Sequence, residues 1–211
     1  MKLFLENGYR QTRMTDIIRE ADVSISTFQN IFRSKDGVLL DLTEEMFSNQ
    51  YDLAQQVAGK DASPVLLFAI ETSIQLTLTE LNDNLREIYV AAYSCDRSSE
   101  CIFQNTAQKL YELFGLYQPE CALSDFYEME IGTAGIMRNY MTMKCNKYFT
   151  LSQKLENYLK LCLRAYCIPR SEIDAVIADI QNLNIKAISE QVMQELFTRL
   201  SVNHDFHLSS D

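Results

Sequence analysis

Between positions 15 and 35 the chain carries a group of short polar side chains: Thr15, Ser24, Ser26, Thr27, Gln29 and Asn30. Small hydroxyls and amides donate and accept hydrogen bonds at short reach. Presented on one exposed helix face, they suit the base edges of a DNA major groove. Other groups able to do chemistry are sparse. Six cysteines (Cys95, Cys101, Cys121, Cys145, Cys162, Cys167) show no C-x-x-C spacing. They read as reduced thiols serving as small hydrophobes, not as disulfides or a zinc site. Arg97 lies between Cys95 and Cys101, where its charge would lower a thiol pKa and favour redox sensing. His204 and His207 form H-x-x-H in a polar tail that reads as a disordered end. No nucleophile motif, phosphate-cradling glycine loop or histidine within the folded region is present to build a reaction site. The chain therefore reads as a non-enzyme with no cofactor and no metal.

The elements that must position the polar group follow from the apolar spacing. Met14, Ile17, Ile18 and Ala21 give the i, i+3, i+4, i+7 stripe of a helix with one buried face, with Thr15 as its cap and Asp16 in its first turn. Asp22-Val23-Ser24 is a turn, with Val23 filling the corner and Ser24 or Ser26 capping the next helix. That helix, about 26–32, buries Phe28, Phe32 and Ile31 and turns Thr27, Gln29 and Asn30 outward. A short helix held by a three- or four-residue turn after another helix is a helix-turn-helix unit.

The run Leu3-Phe4, Gly8-Tyr9, Thr15, Ile17-Ile18, Ala21-Asp22-Val23-Ser24, Thr27-Phe28, Phe32, Ser34-Lys35 and Leu39-Leu40 resembles the DNA-binding domain of the tetracycline-repressor (TetR) family. The resemblance implies a DNA-binding domain over residues 1–42 that acts on double-stranded operator DNA, with Lys35 donating to a phosphate. Three positions depart from the family pattern. Asp22 stands where a turn glycine is usual, and Gln29 replaces an aromatic. The chain also starts inside what should be the first helix, so that helix is expected to be truncated.

Length and charge bound the remainder. The net charge is −10, but residues 1–35 hold six Lys/Arg against four acids, so the acidity lies in the body and not in the DNA-facing part. Six glycines and three prolines indicate a helix-rich, loop-poor chain. No apolar run reaches a membrane span and no signal peptide is visible, which predicts a cytoplasmic protein without a membrane partner.

After the reading unit, Ser34 caps a long helix over 35–57, which the family resemblance makes a lever. Residues 60–63 form a linker and Pro64 opens a helix that is apolar almost all round to residue 81. Further helices are expected over 83–94 (capped by Asp83), 97–114, 125–144 (capped by Ser124), 151–167, 171–183 and 185–200. The class is all-α, with a helical ligand-binding and dimerisation domain over 43–211.

The 151–167 helix carries two apolar stripes, one of them Tyr158, Leu161, Cys162 and Ala165, and the helix before it carries Gly132-Thr133-Ala134-Gly135. Such two-sided helices suit a homodimer built as a four-helix bundle. A pocket for an unknown small-molecule effector is expected among Gln75, Tyr89, Tyr93, Phe103, Tyr111, Met137 and Tyr140, where adaptable apolar walls carry a few polar groups. Glu87, Glu128 and Glu130 are acids that could meet a cationic ligand, although acids so placed usually form a solvated face. The expected function is a ligand-responsive repressor binding a near-palindromic operator. The alternative is a dimeric helical sensor or protein-binding adaptor that has lost DNA binding.

Overall fold

The computed structural model describes residues 1–48 and 50–206. Among them are twelve α-helices and a single bridge, Asn146 with Phe149, in place of any strand. The helices are α1 Lys2–Gln11, α2 Met14–Glu20, α3 Ile25–Ile31, α4 Lys35–Phe47, α5 Gln50–Ala58, α6 Pro64–Leu81, α7 Asp83–Ala92, α8 Asp96–Phe114, α9 Leu123–Thr142, α10 Leu151–Ala165, α11 Arg170–Asn182 and α12 Ile185–Asn203.

Helix α6 is the axis. Pro64 opens it and Ser63 Oγ accepts from Leu66 N at 3.2 Å. Its buried threonines stay inside by donating to the carbonyl oxygens of the preceding turn: Thr72 to Phe68, Thr77 to Ser73 and Thr79 to Leu76. Helices α5 and α7 to α12 all pack against it. At 18 residues with a mean hydropathy of 1.2, α6 is long and apolar enough to cross a membrane, contrary to the expectation that no segment reaches that length. It is 72% buried inside the protein and forms the core.

Several boundaries differ from the sequence expectation, for related reasons. The 35–57 helix is two helices. Ser48 donates its hydroxyl to Glu45 O at 3.0 Å as α4 ends, the competing bond by which serine disfavours a helix interior. Capping shifts wherever an acid inside the first turn reaches back. Asp16 accepts from Arg13 N at 3.3 Å and Asp125 from Ala122 N at 2.6 Å. Thr15 and Ser124 therefore sit within their helices instead of capping them. Asn82, not Asp83, caps α7, accepting from Leu85 N at 2.9 Å. Ser34 stands at the cap position of α4 without a side-chain bond.

Of the second stripe on α10, Tyr158 and Cys162 are consumed by the protein's own core, leaving Leu161 and Ala165 outward. His204 follows α12 with its Nε2 3.8 Å from Glu45 Oε2, and His207 lies outside the described residues.

The first three helices form a head whose joints depend on two glycines. Gly8 has φ +78°, and a Cβ there would meet Glu87 Oε2 at 2.6 Å. Gly37, in the first turn of α4, sits so close to the backbone that a Cβ would lie 2.0 Å from Phe32 O. A backbone oxygen cannot swing away, so α4 must shift to admit even a methyl. Gly37→Ala is predicted to cost about 1–3 kcal/mol, as overpacking does, and denaturant melts of the two proteins check it. Equal midpoints would show that the α3–α4 joint yields freely.

Candidate DNA-reading face and ligand chamber

The turn before α3 is made by Asp22, whose φ of +50° is left-handed. Asparagine and aspartate tolerate that region better than most residues. Ser24 caps α3, its Oγ accepting from Thr27 N at 3.0 Å and lying within 3.0 Å of the Ser26 and Thr27 hydroxyls. Phe28 is the one fully buried residue of α3, its ring centre 5.4 Å from that of Phe32 with the planes tilted by 43°. Because so narrow a stripe is buried, Thr27, Gln29 and Asn30 all face solvent.

Ile31 does too, at 65% exposure, against the expectation that it is buried. Four residues from Thr27, it shares that residue's outward face. Ile25 is exposed as well. Two apolar side chains thus belong to this face that the polar selection missed, and their spacing from Phe28 and Thr27 was the available signal. Thr15 is exposed at the start of α2.

Lys35 is half-buried. Its Nζ donates to Tyr9 O at 3.0 Å and Thr12 O at 3.1 Å, and lies 4.0 Å from the centre of the Tyr9 ring. It satisfies carbonyls at the end of α1, as cations at helix C-termini do.

Two cavities lie deeper, where α4 and α5 meet the body. One, about 360 Å³, is lined by Met46, Leu53, Gln75, Tyr89 and Leu196 among others. The second, about 240 Å³, is walled by Phe47, Tyr51, Tyr93, Glu130, Met137 and Tyr158. Asp52, Glu71 and Gln75 line both. Of the expected pocket residues, Gln75, Tyr89, Tyr93 and Met137 come to these cavities. Phe103, Tyr111 and Tyr140 line neither. Phe103 packs on Tyr127, Tyr111 on Phe126, and Tyr140 on Phe149 and Tyr158. An aromatic-rich segment supplies ordinary core as well as cavity wall, and its composition does not separate the two.

The chamber's strongest chemistry was missed in part, because Glu71 reads as a mere interruption of an apolar helix. Glu71 and Glu130 are only 4% and 5% exposed. Tyr93 OH donates to Gln75 Oε1 at 3.2 Å, and Gln75 Nε2 donates to Glu71 Oε1. Glu130 Oε2 accepts from Thr133 Oγ1 at 2.8 Å and Tyr166 OH at 3.2 Å. Burial pushes Glu71 up to about 7. Burial, with the Glu71 charge adding to it, pushes Glu130 up to about 8. Among the described residues no lysine, arginine or histidine pairs with either carboxylate. Lys109, at the chamber edge, turns to Glu112 at 3.3 Å. Glu128 is exposed, and Glu87 accepts from Arg10 N at 3.0 Å. Burial and then the Glu44 charge push the Cys101 thiol up, the opposite of what a redox sensor needs.

Residues 1–42 match the family model of bacterial regulatory proteins, tetR family. The head is a tetR-family DNA-binding domain. This sets the chain among DNA-binding transcriptional regulators. No curated protein and no solved structure matches the chain. The tetR-family match covers α1 to α3 and reaches into α4, whereas the chamber is built beyond it, from residue 46 onward.

The chamber carries a pH signature. Below an unfolded-chain value near 4.5, both glutamates are protonated whether folded or not. As pH rises, the unfolded chain releases its protons first, while the fold holds them until about 7 and 8. Stability therefore falls with rising pH across this window and levels off above it. The loss is on the order of 3 kcal/mol per carboxylate. Thermal melts of the ligand-free protein from pH 5 to 9 should show the decline, and Glu71→Gln with Glu130→Gln should flatten it. Parallel curves for wild type and double variant would mean that the carboxyls are not dehydrated in the folded state.

Proposed function

We propose that this protein is a ligand-responsive repressor that binds a near-palindromic operator as a cytoplasmic homodimer. Residues 1–42 are its reading head, and residues 43–211 its ligand-binding and dimerisation domain. The observation that carries the ligand response is the course of α4. Its 13 residues span about 20 Å. At its start Lys35 and Asp36 are tied to Tyr9 of the head, the Tyr9 hydroxyl donating to Asp36 Oδ1. At its end Met46 and Phe47 wall the two cavities. A molecule that moves those walls moves the head. Helix α7 supplies a second link. Asn84 Nδ2 donates to Leu5 O and Glu6 O, each at 2.8 Å, while Tyr89 of the same helix and Tyr93 at its C-terminal cap line the cavities.

On the head, Ser24, Ser26, Thr27, Gln29, Asn30 and Ile31 form the face offered to the major groove, and Thr15 and Lys35 flank it on the phosphate side. Two of the three Lys35 N–H groups are used inside the head, which leaves one for a phosphate oxygen. Thr27→Ala and Gln29→Ala should cost on the order of 1–3 kcal/mol at particular base pairs. Lys35→Ala should weaken binding to specific and random DNA alike and reduce the salt dependence. Titrations by gel shift against the DNA upstream of the protein's own coding sequence read both. Equal losses on specific and random DNA for all three variants would displace the reading face. No shift at all would favour the adaptor reading.

Dimerisation is assigned to the outward faces of α9 and α10. Ile131 and Leu161 are exposed there, and a Cβ at Gly132 or Gly135 would meet nothing within 4 Å. Bare glycines let a second backbone approach closely. Two such faces related by a two-fold axis make a four-helix bundle. The bundle would set the two heads about 34 Å or more apart. Leu161→Glu, which the subunit's own core does not need, should give a monomer by light scattering at micromolar concentration. A wild-type monomer under those conditions would remove the dimer.

A further inference from the structure

We infer that the chamber walled by α4 to α10 takes a small organic cation with an apolar body, an amine, amidinium or quaternary ammonium, held between Glu71 and Glu130. This rests on the ligand-responsive reading above and names its ligand class. Both carboxyls face an interior space, and one of them has an oxygen to spare: Glu71 Oε2 has no hydrogen-bond partner among the described residues. A buried carboxylate needs a counter-charge or a proton. The protein's nearest cations are directed elsewhere, Lys109 to Glu112 at 3.3 Å and Arg199, which lines the adjoining cavity with Glu71, to Glu45 at 3.8 Å, so a ligand can supply the charge.

The walls fit the rest of such a molecule. Tyr51, Phe47, Tyr93 and Tyr158 line the space with aromatic rings, which attract a positive charge, and Met137 adapts to an apolar body. A metal ion is a poorer match. Asp52, Glu71 and Glu130 border the space among aromatic rings, but among the described residues no three His, Cys, Asp or Glu gather so as to hold a metal ion. An anion would face two like charges.

Binding should couple to protons. The groups facing the carboxylates are Tyr51 and Asp52 from α5, Tyr93 just after α7, Lys109 from α8, Tyr158 from α10 and Tyr166 just after it, with Glu195 and Arg199 from α12 lining the adjoining cavity that Glu71 shares. Burial drives these tyrosines well above their usual range, so they stay neutral. The glutamates are left as the groups that exchange protons near neutrality. A cation then binds more tightly as pH rises from 6 to about 8.5, and near pH 7 its binding releases protons to the buffer.

Calorimetry with benzyltrimethylammonium and benzamidine as cations, benzyl alcohol as neutral control and benzoate as anion tests this. At pH 8.5 at least one cation should bind tenfold or more above the alcohol, with that advantage shrinking at pH 6. Glu71→Gln and Glu130→Gln should each lower cation affinity at least tenfold, whereas the exposed Glu128→Gln leaves it unchanged. Melting curves at pH 8.5 confirm that the glutamine variants are folded. Cations bound no better than benzyl alcohol, or affinity indifferent to both glutamine substitutions, would overturn the inference.

Operator release, read in parallel, separates the two levels. Release by a neutral or anionic compound, without cation binding, keeps the ligand-responsive reading and ends the cation assignment. Cation binding that leaves operator affinity unchanged keeps the site and ends the inducer reading, because effector and DNA must shift each other's affinity by the same factor.

Discussion

A helix that is apolar on every side has to be surrounded. Helix α6 imposes that requirement, and the body is its consequence: seven other helices pack around it. The rule also makes each polar residue on α6 informative. Its threonines remain inside by bonding to their own backbone. Glu71 cannot do that, because a carboxylate accepts and does not donate when ionised. The carboxyl left over is the one that borders empty space. The wrapping of α6 and the chemistry of the chamber therefore share one origin.

The same concern for unsatisfied groups explains how the head is fastened. The last turns of α1 expose carbonyls that no later turn of the helix can use. Lys35 takes those of Tyr9 and Thr12, Asn84 takes those of Leu5 and Glu6, and Thr12 Oγ1 donates back to Leu3 O and Gly8 O. Bonds to backbone fix the angle of the head more rigidly than contacts between flexible side chains would. They also run through α4 and α7, both of which carry cavity residues. Head position and chamber shape are thus linked by short, stiff elements.

Burial of charge shows two opposite solutions in one molecule. Lys154 is fully buried in α10, where an apolar-stripe reading sees only leucines, and it is matched by Glu80 and Met143 O, with Arg86 3.6 Å from the same Glu80 carboxylate. Its cost is offset within the fold. Glu71 and Glu130 have no such cation, and hydrogen bonds from Gln75, Thr133 and Tyr166 only partly compensate. One arrangement is complete in itself, and the other is open to a partner.

What the sequence by itself determined is whatever depends on local spacing. The apolar periodicity gave the helices, the all-α class and the continuous apolarity of α6. The motif around Ala21 to Lys35 identified the head, since turn, cap and corner residues act within a few positions of one another. Caps were placed less well, because an acid inside the first turn can replace the residue before it, as at Asp16 and Asp125. Only the tertiary structure decided which aromatics wall a cavity and that the 35–57 helix divides near Ser48. It alone decided that two glutamates more than fifty residues apart share one chamber. Burial and dielectric are properties of what surrounds a group, and the surroundings of Glu71 and Glu130 are assembled from helices distant in the chain.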